Sequence, residues 1–282
     1  MITRLLTPRR TFDRSHAVRT IHWVMAGIFG LLLTGCAGIS SAPTPEARQA
    51  LAPTGKLHVG FLLNPIHGTK DAASGEFKGV AVDLGKELAR RVGVPFEPVA
   101  YSTVTALLAG AKTGEWDVTM IGISAERALV MDYTAPYMEV EFAFLVPKGS
   151  SIAKLSDVDR AGVRIGVVEK GSPEALLAGT LRNATLVRVP SFAVLVGLLR
   201  AGSADALFSL KSGLLTEAEK SADARVLEGR SGGESTGMAT PKGRDLGGAY
   251  LRQFVESAKS EGLVKAAIER AALRGVVVAP LQ

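Results

Sequence analysis

Two segments of this 282-residue chain repeat one pattern: a helix, a Gly-x-x-Asp turn, then a strand. The first runs from Leu107 to Lys112, then Gly114-Glu115-Trp116-Asp117-Val118. The second runs from Leu195 to Arg200, then Gly202-Ser203-Ala204-Asp205-Ala206-Leu207-Phe208. Earlier stretches echo each other too. Gly162-Val163-Arg164-Ile165-Gly166-Val167-Val168 matches Gly55-Lys56-Leu57-His58-Val59-Gly60. Strands alternating with helices predict two α/β lobes with mostly parallel sheets.

Taken in order, Lys56 to Leu62 is the first strand, followed by a polar, turn-rich loop from Asn64 to Ser74. His67 lies in that loop and reads as a loop residue rather than a ligand. Leu84, Leu88 and Val92 form one stripe of a helix that Gly93 stops. Phe96 to Val99 is a second strand, and Val104, Leu107, Leu108 and Ala111 mark the next helix face. Glu141 to Val146 is a strand leaving the first lobe. Met238-Ala239-Thr240 is a return strand, with helices after it at 246–261 and 263–273.

Trp116 to Tyr137 joins a short apolar strand, Val118 to Ile121, to a polar turn. Gly122 permits a turn or a close approach. Ser124 suits an N-cap, and Ala125 to Leu129 reads as one or two helical turns behind it. Free backbone N–H groups at a helix start favour an anion, and Arg127 adds a planar fork that matches a carboxylate. A purely structural reading fits equally: Ser124 caps, and Arg127 pairs with Glu126 or Asp132. Ligands of open α/β sheets bind outside the carboxyl ends of strands, so Gly122–Arg127 is expected to face Glu169–Glu174 of the second lobe. There Ser172 is a second candidate N-cap, with Pro173 at the first helical position.

The formal charge is +6. Residues 1–35 hold Arg4, Arg9, Arg10, Arg14 and Arg19 against Asp13, so most of the excess lies there. The near-neutral body gives no case for nucleic acid. Trp23 to Leu33 has the length of a signal h-region rather than a bilayer span. It ends in Leu33-Thr34-Gly35-Cys36, which resembles a bacterial lipoprotein signal, and Cys36 is the chain's one cysteine. That resemblance implies cleavage before Cys36, acylation of it, and a membrane anchor through buried methylenes. Arg9-Arg10 also fits a twin-arginine export pattern. Gly38 to Pro53 reads as a flexible tether. The expected division is a signal over 1–35, a tether over 36–54, lobe one over 55–142 and 238–282, and lobe two over 143–237.

The body from about 55 to 275 resembles the extracytoplasmic solute-binding proteins of amino-acid ABC transporters. The motifs that carry this are Gly114 to Asp117, Gly122 to Arg127, Asp132-Tyr133-Thr134-Ala135-Pro136-Tyr137, Val146 to Ser150, Gly166 to Ser172 and Gly237 to Gly243. The resemblance implies a two-lobed, type II periplasmic-binding-protein-like α/β fold with a ligand cleft and a two-strand hinge near Glu141–Phe144 and Gly237–Thr240. It also implies roles: Arg127 for a ligand carboxylate, Ser124 and Gly122 as further donors or backbone, and Glu169, Gly171 and Ser172 closing from lobe two. One departure stands out. Where the family places an aspartate for the ligand's ammonium group, this chain has Leu210, and the acidic position on the first strand is Leu62. Unless Glu169 or Asp71 supplies the charge, the expected ligand carries a carboxylate but is no ordinary α-amino acid.

The leading reading is therefore an exported, lipid-anchored, monomeric receptor that passes a small molecule to an ABC permease and is not an enzyme. Two rivals remain. One is a cyclohexadienyl-dehydratase-like lyase using Glu169, Lys170 and Glu174 as acid or base. The other is a sensor for a signalling partner. No cofactor or metal is expected, because His16, His22, His58 and His67 lack ligand spacing, and no phosphate-cradling nucleotide loop is present.

Overall fold

The computed structural model describes residues 42–282. The expected signal, the Arg9-Arg10 pair and Cys36 lie outside the described residues. In chain order the elements are α1 (Pro45–Leu51), β1 (Leu57–Leu62), β2 (Thr69–Lys70), β3 (Phe77–Lys78), α2 (Val80–Val92) and β4 (Phe96–Tyr101). Next come α3 (Val104–Thr113), β5 (Val118–Gly122), β6 (Met131–Pro147), β7 (Arg164–Val168), α4 (Ser172–Thr180) and β8 (Thr185–Val189). The rest are α5 (Phe192–Arg200), β9 (Ala206–Leu210), α6 (Lys211–Lys220), β10 (Ala224–Val226), β11 (Gly233–Pro241), α7 (Asp245–Ser260), α8 (Leu263–Arg270) and β12 (Val276–Val278).

One sheet runs β4-β1-β5-β11-β6-β9-β7-β8, with β10 and β12 also paired to β6. Its two ends are parallel: β4, β1 and β5 at one, and β8, β7 and β9 at the other. Between them β11 and β6 run antiparallel to their neighbours. This is the α/β arrangement that the repeated strand–helix pattern predicts. Each half buries its own apolar cluster. Phe61, Leu88 and Met120 belong to the first, and Phe144, Ile165 and Phe208 to the second.

The repeated Gly-x-x-Asp turns have a shared structural cause. Gly114 and Gly202 take left-handed φ values of 72° and 63°, which glycine reaches without strain. Each aspartate then clamps the strand beside it. Asp117 Oδ2 accepts from the His58 amide at 3.0 Å, and Asp205 Oδ2 accepts from the Arg164 amide at 2.8 Å. Asp117 is buried, and Arg244 Nη1 donates to it at 2.7 Å.

Two segments differ from expectation. The stretch read as a flexible tether contains α1. Thr44 caps it, Pro45 begins it, and Ala47 and Leu51, one turn apart, are both buried. A Cβ added at Gly247 would lie 3.2 Å from Leu51, so the glycine lets α7 approach α1 closely. The second crossing between the halves also falls earlier than Gly237–Thr240. Thr236 to Ala239 are locked in the ladder with β5 and buried. The chain instead crosses between β10 and Gly233, where the Phe142 amide donates to Gly232 O at 3.0 Å. Gly232, at φ 103°, makes that bend. The first crossing lies opposite, where β6 leaves β11 at Glu141 and joins β9 at Phe142.

Candidate functional site

β5 ends at Gly122, and the chain then turns back so that Arg127 reaches the edge of the second half. Arg127 is only 6% exposed. Its Nη1 donates to Gly122 O at 2.7 Å and to Ser172 Oγ at 3.4 Å, and its Nη2 donates to Lys170 O at 2.7 Å. These contacts, with a further bond to the Tyr133 hydroxyl, leave one N–H of a five-donor group. Tyr133 O–H donates to the same Gly122 carbonyl at 3.1 Å, and burial pushes its phenol up to about 12. The Gly122 carbonyl thus holds Arg127 in place and is saturated by doing so.

The segment behind Ser124 is shorter than expected. It is a 3-10 turn, Arg127–Leu129, rather than one or two α-helical turns, so no helix terminus points into the cleft here. Ser124 Oγ accepts from the Arg127 amide at 3.3 Å, and Ser124 is not on the cavity wall. Its role is to shape the turn that carries the arginine. Ser172 also differs: Gly171 caps α4, and Ser172 is the first helical residue with no capping bond. Its hydroxyl is thereby released to accept from Arg127 and to donate to Glu234.

A cavity of about 70 Å³ lies between these elements. Gly122, Arg127, Gly171, Ser172 and Leu210 line it, while Glu169 and Asp71 do not. Asp71 is held by Ser74 and by Lys78 Nζ at 3.3 Å in its own loop. Of the lyase candidates, Glu174 is also committed elsewhere. Glu174 Oε1 accepts from Arg188 at 2.6 Å and Oε2 from the Lys170 amide at 2.8 Å. Most of the remaining wall is apolar, including Leu62, Ile66, Ile121 and Phe192.

Two cavity residues escaped sequence reasoning. Glu234, on β11, brings a carboxylate to the face of Gly122, where an added Cβ would collide with it. Burial raises its pKa, against the hydrogen bond from Ser172 and the charge of Arg127. A carboxyl group therefore does face the cavity although Leu210 and Leu62 are apolar. His67 is the other. It is 2% exposed and on the cavity wall, and burial, then the charge of Arg127, lower its pKa to about 4. Its signal was Asn64, three residues earlier: Asn side chains fold such loops onto themselves.

The family model for bacterial extracellular solute-binding proteins, family 3, matches residues 58–270. The glutamine-binding protein of Geobacillus stearothermophilus is 25% identical over 244 residues, covering 78% of this chain and 92% of that protein. Among solved structures, a mutant of ArgBP from T. maritima aligns with a TM-score of 0.71 at 25% identity, covering 80% of this chain and 99% of that one. A putative binding component of an ABC transporter from Wolinella succinogenes, complexed with lysine, aligns with a TM-score of 0.68 at 26% identity, covering 77% and 95%.

Proposed function

Starting from the fact that the chain belongs to the bacterial extracellular solute-binding proteins of family 3, we propose that it is the receptor of an amino-acid-type ABC transporter. Its ligand is a small carboxylate, an amino acid or a close relative. The observation that carries this reading is Arg127: a buried guanidinium on the cavity wall that bonds to both halves of the sheet and keeps donor capacity for a guest. A ligand carboxylate against that guanidinium favours the closed arrangement, in which Lys170 and Ser172 of the second half reach Arg127 of the first. Glu234 reopens the amino-acid class that Leu210 argued against, since an ammonium group brought beside this buried carboxyl would favour its ionised form and pair with it.

The reading extends to export and anchoring, on the N-terminal residues, and to partners, on the family. The chain is exported, Cys36 carries the lipid anchor, the body works as a monomer, and a separate permease takes the ligand. It binds without converting its guest. Isothermal calorimetry with a panel of amino acids and simple carboxylates tests the receptor. Stoichiometric, Arg127-dependent binding without product supports it, and turnover of any bound guest overturns it. Radiolabelled palmitate incorporation, abolished by Cys36→Ala, tests the anchor.

A further inference from the structure

His67 presents an acceptor with no partner among the described residues. Asn64 Oδ1 accepts from the amides of Ile66 and His67, each at 2.9 Å. An oxygen that takes two amide hydrogens is the acceptor end of the side chain, so the imidazole Nδ1, 3.1 Å away, must be the donor in that contact. That fixes the tautomer: Nδ1 carries the proton and Nε2 keeps its lone pair. Nε2 is buried and has no hydrogen-bond partner among the described residues. Protonating it would place a second cation beside Arg127, whose charge already acts on this ring. Nε2 is therefore locked as an acceptor, on the wall of the same cavity.

Buried polar groups are almost always satisfied, and a lone acceptor on a ligand cavity is most simply satisfied by the ligand. We propose that His67 is a specificity-determining contact, whose Nε2 accepts a hydrogen bond from an O–H or N–H group of the bound acid. The ligand then belongs to the hydroxy or amino acids rather than to the plain carboxylic acids. This rests on the receptor reading above. Arg127 fixes the carboxylate, and His67 selects for a protic group near it. A plain acid would leave Nε2 unpaired and lose the discrimination that a site built to hydrogen-bond a substituent provides.

The test uses three matched probes: butyrate, 2-hydroxybutyrate and 2-aminobutyrate. Calorimetry on the purified full-length protein should show at least one protic acid binding ten-fold or more tighter than butyrate. His67→Phe, which keeps a ring and removes the acceptor, should bring that ratio close to one. Arg127→Gln should weaken all binders together. A ratio unchanged by His67→Phe overturns this inference and leaves the receptor intact. Binding indifferent to Arg127→Gln overturns the receptor reading itself. A readout that needs no variant is the ¹⁵N signal of the His67 ring. The best-binding protic probe should move Nε2 and leave Nδ1 in place. An unmoved Nε2, or no preference for either protic acid over butyrate, sinks the proposal.

Discussion

Arg127 Nη2 and the Lys170 carbonyl meet at 2.7 Å, one residue from each half of the sheet. The bond is short and charge-assisted, and the guanidinium behind it is buried. Removing it should damage both binding and closure. Arg127→Gln is expected to weaken carboxylate binding by about 100-fold, or roughly 3 kcal/mol. Arg127→Lys keeps a charge but loses the fork, and should recover only part of that loss. Calorimetry across the two variants checks the order. Equal affinities in wild type and Arg127→Gln would remove the arginine from the site.

Gly122 stands where Glu234 and Ser172 converge. An added Cβ would overlap the Glu234 carboxylate and come within 2.9 Å of Ser172 Oγ. Glu234 shares the half of Gly122, so its clash strains that half, while Ser172 belongs to the other half, so its clash opposes closure. Gly122→Ala should cost the closed state about 1–3 kcal/mol and weaken binding correspondingly. Small-angle scattering should show a more open average shape with ligand added. If the variant compacts like wild type, the close approach has no bearing on closure.

These contacts show where sequence reasoning reached and where it stopped. The Gly-x-x-Asp echo was legible because the same physics acts twice: a left-handed glycine, then a carboxylate that takes the neighbouring strand's amide. Strand β5 was legible from its apolar run, and the place of Gly122, Arg127 and Ser172 on the cavity wall from the strand ends and turns that carry them. The full length of β6 was not, because Pro136 sits inside it and proline argues against a mid-sheet strand. Here a register shift between Thr236 and Ala239 accommodates it. Glu234 and His67 were hidden because their meaning is tertiary. Each becomes informative only when distant elements bury it beside Arg127.

Lys170 has φ of 58°, in the left-handed region that side chains with a Cβ avoid. Its amide donates to Glu174 Oε2 at 2.8 Å and its carbonyl accepts from Arg127, so both ends of the residue are pinned. Glycine reaches the same backbone without strain, although it gains entropy when unfolded. Lys170→Gly should therefore raise stability by about 0.5 kcal/mol, with binding unchanged, because the exposed lysine is absent from the cavity wall. Urea unfolding measures the first effect and calorimetry the second. A clear loss of stability would mean that the pinned backbone is not strained.

His67 and Glu234 should pull stability in opposite directions with pH. His67 falls from 6.5 to about 4 on folding. Between those values the unfolded chain takes up a proton that the folded protein refuses, so stability falls as pH drops from 6.5 towards 4. A shift of that size corresponds to about 3 kcal/mol, and His67→Gln should flatten the decline. Glu234 has the reverse sign. Its pKa is raised by burial, so its contribution is fully present below 4.5 and lost as pH rises through the folded value. Glu234→Gln, which still accepts from Ser172, should be more stable than wild type at pH 7 and converge with it in acid. Urea unfolding from pH 4 to 8 on both variants separates the slopes. A Glu234→Gln curve parallel to wild type throughout would mean that this carboxyl titrates alike in the folded and unfolded chain.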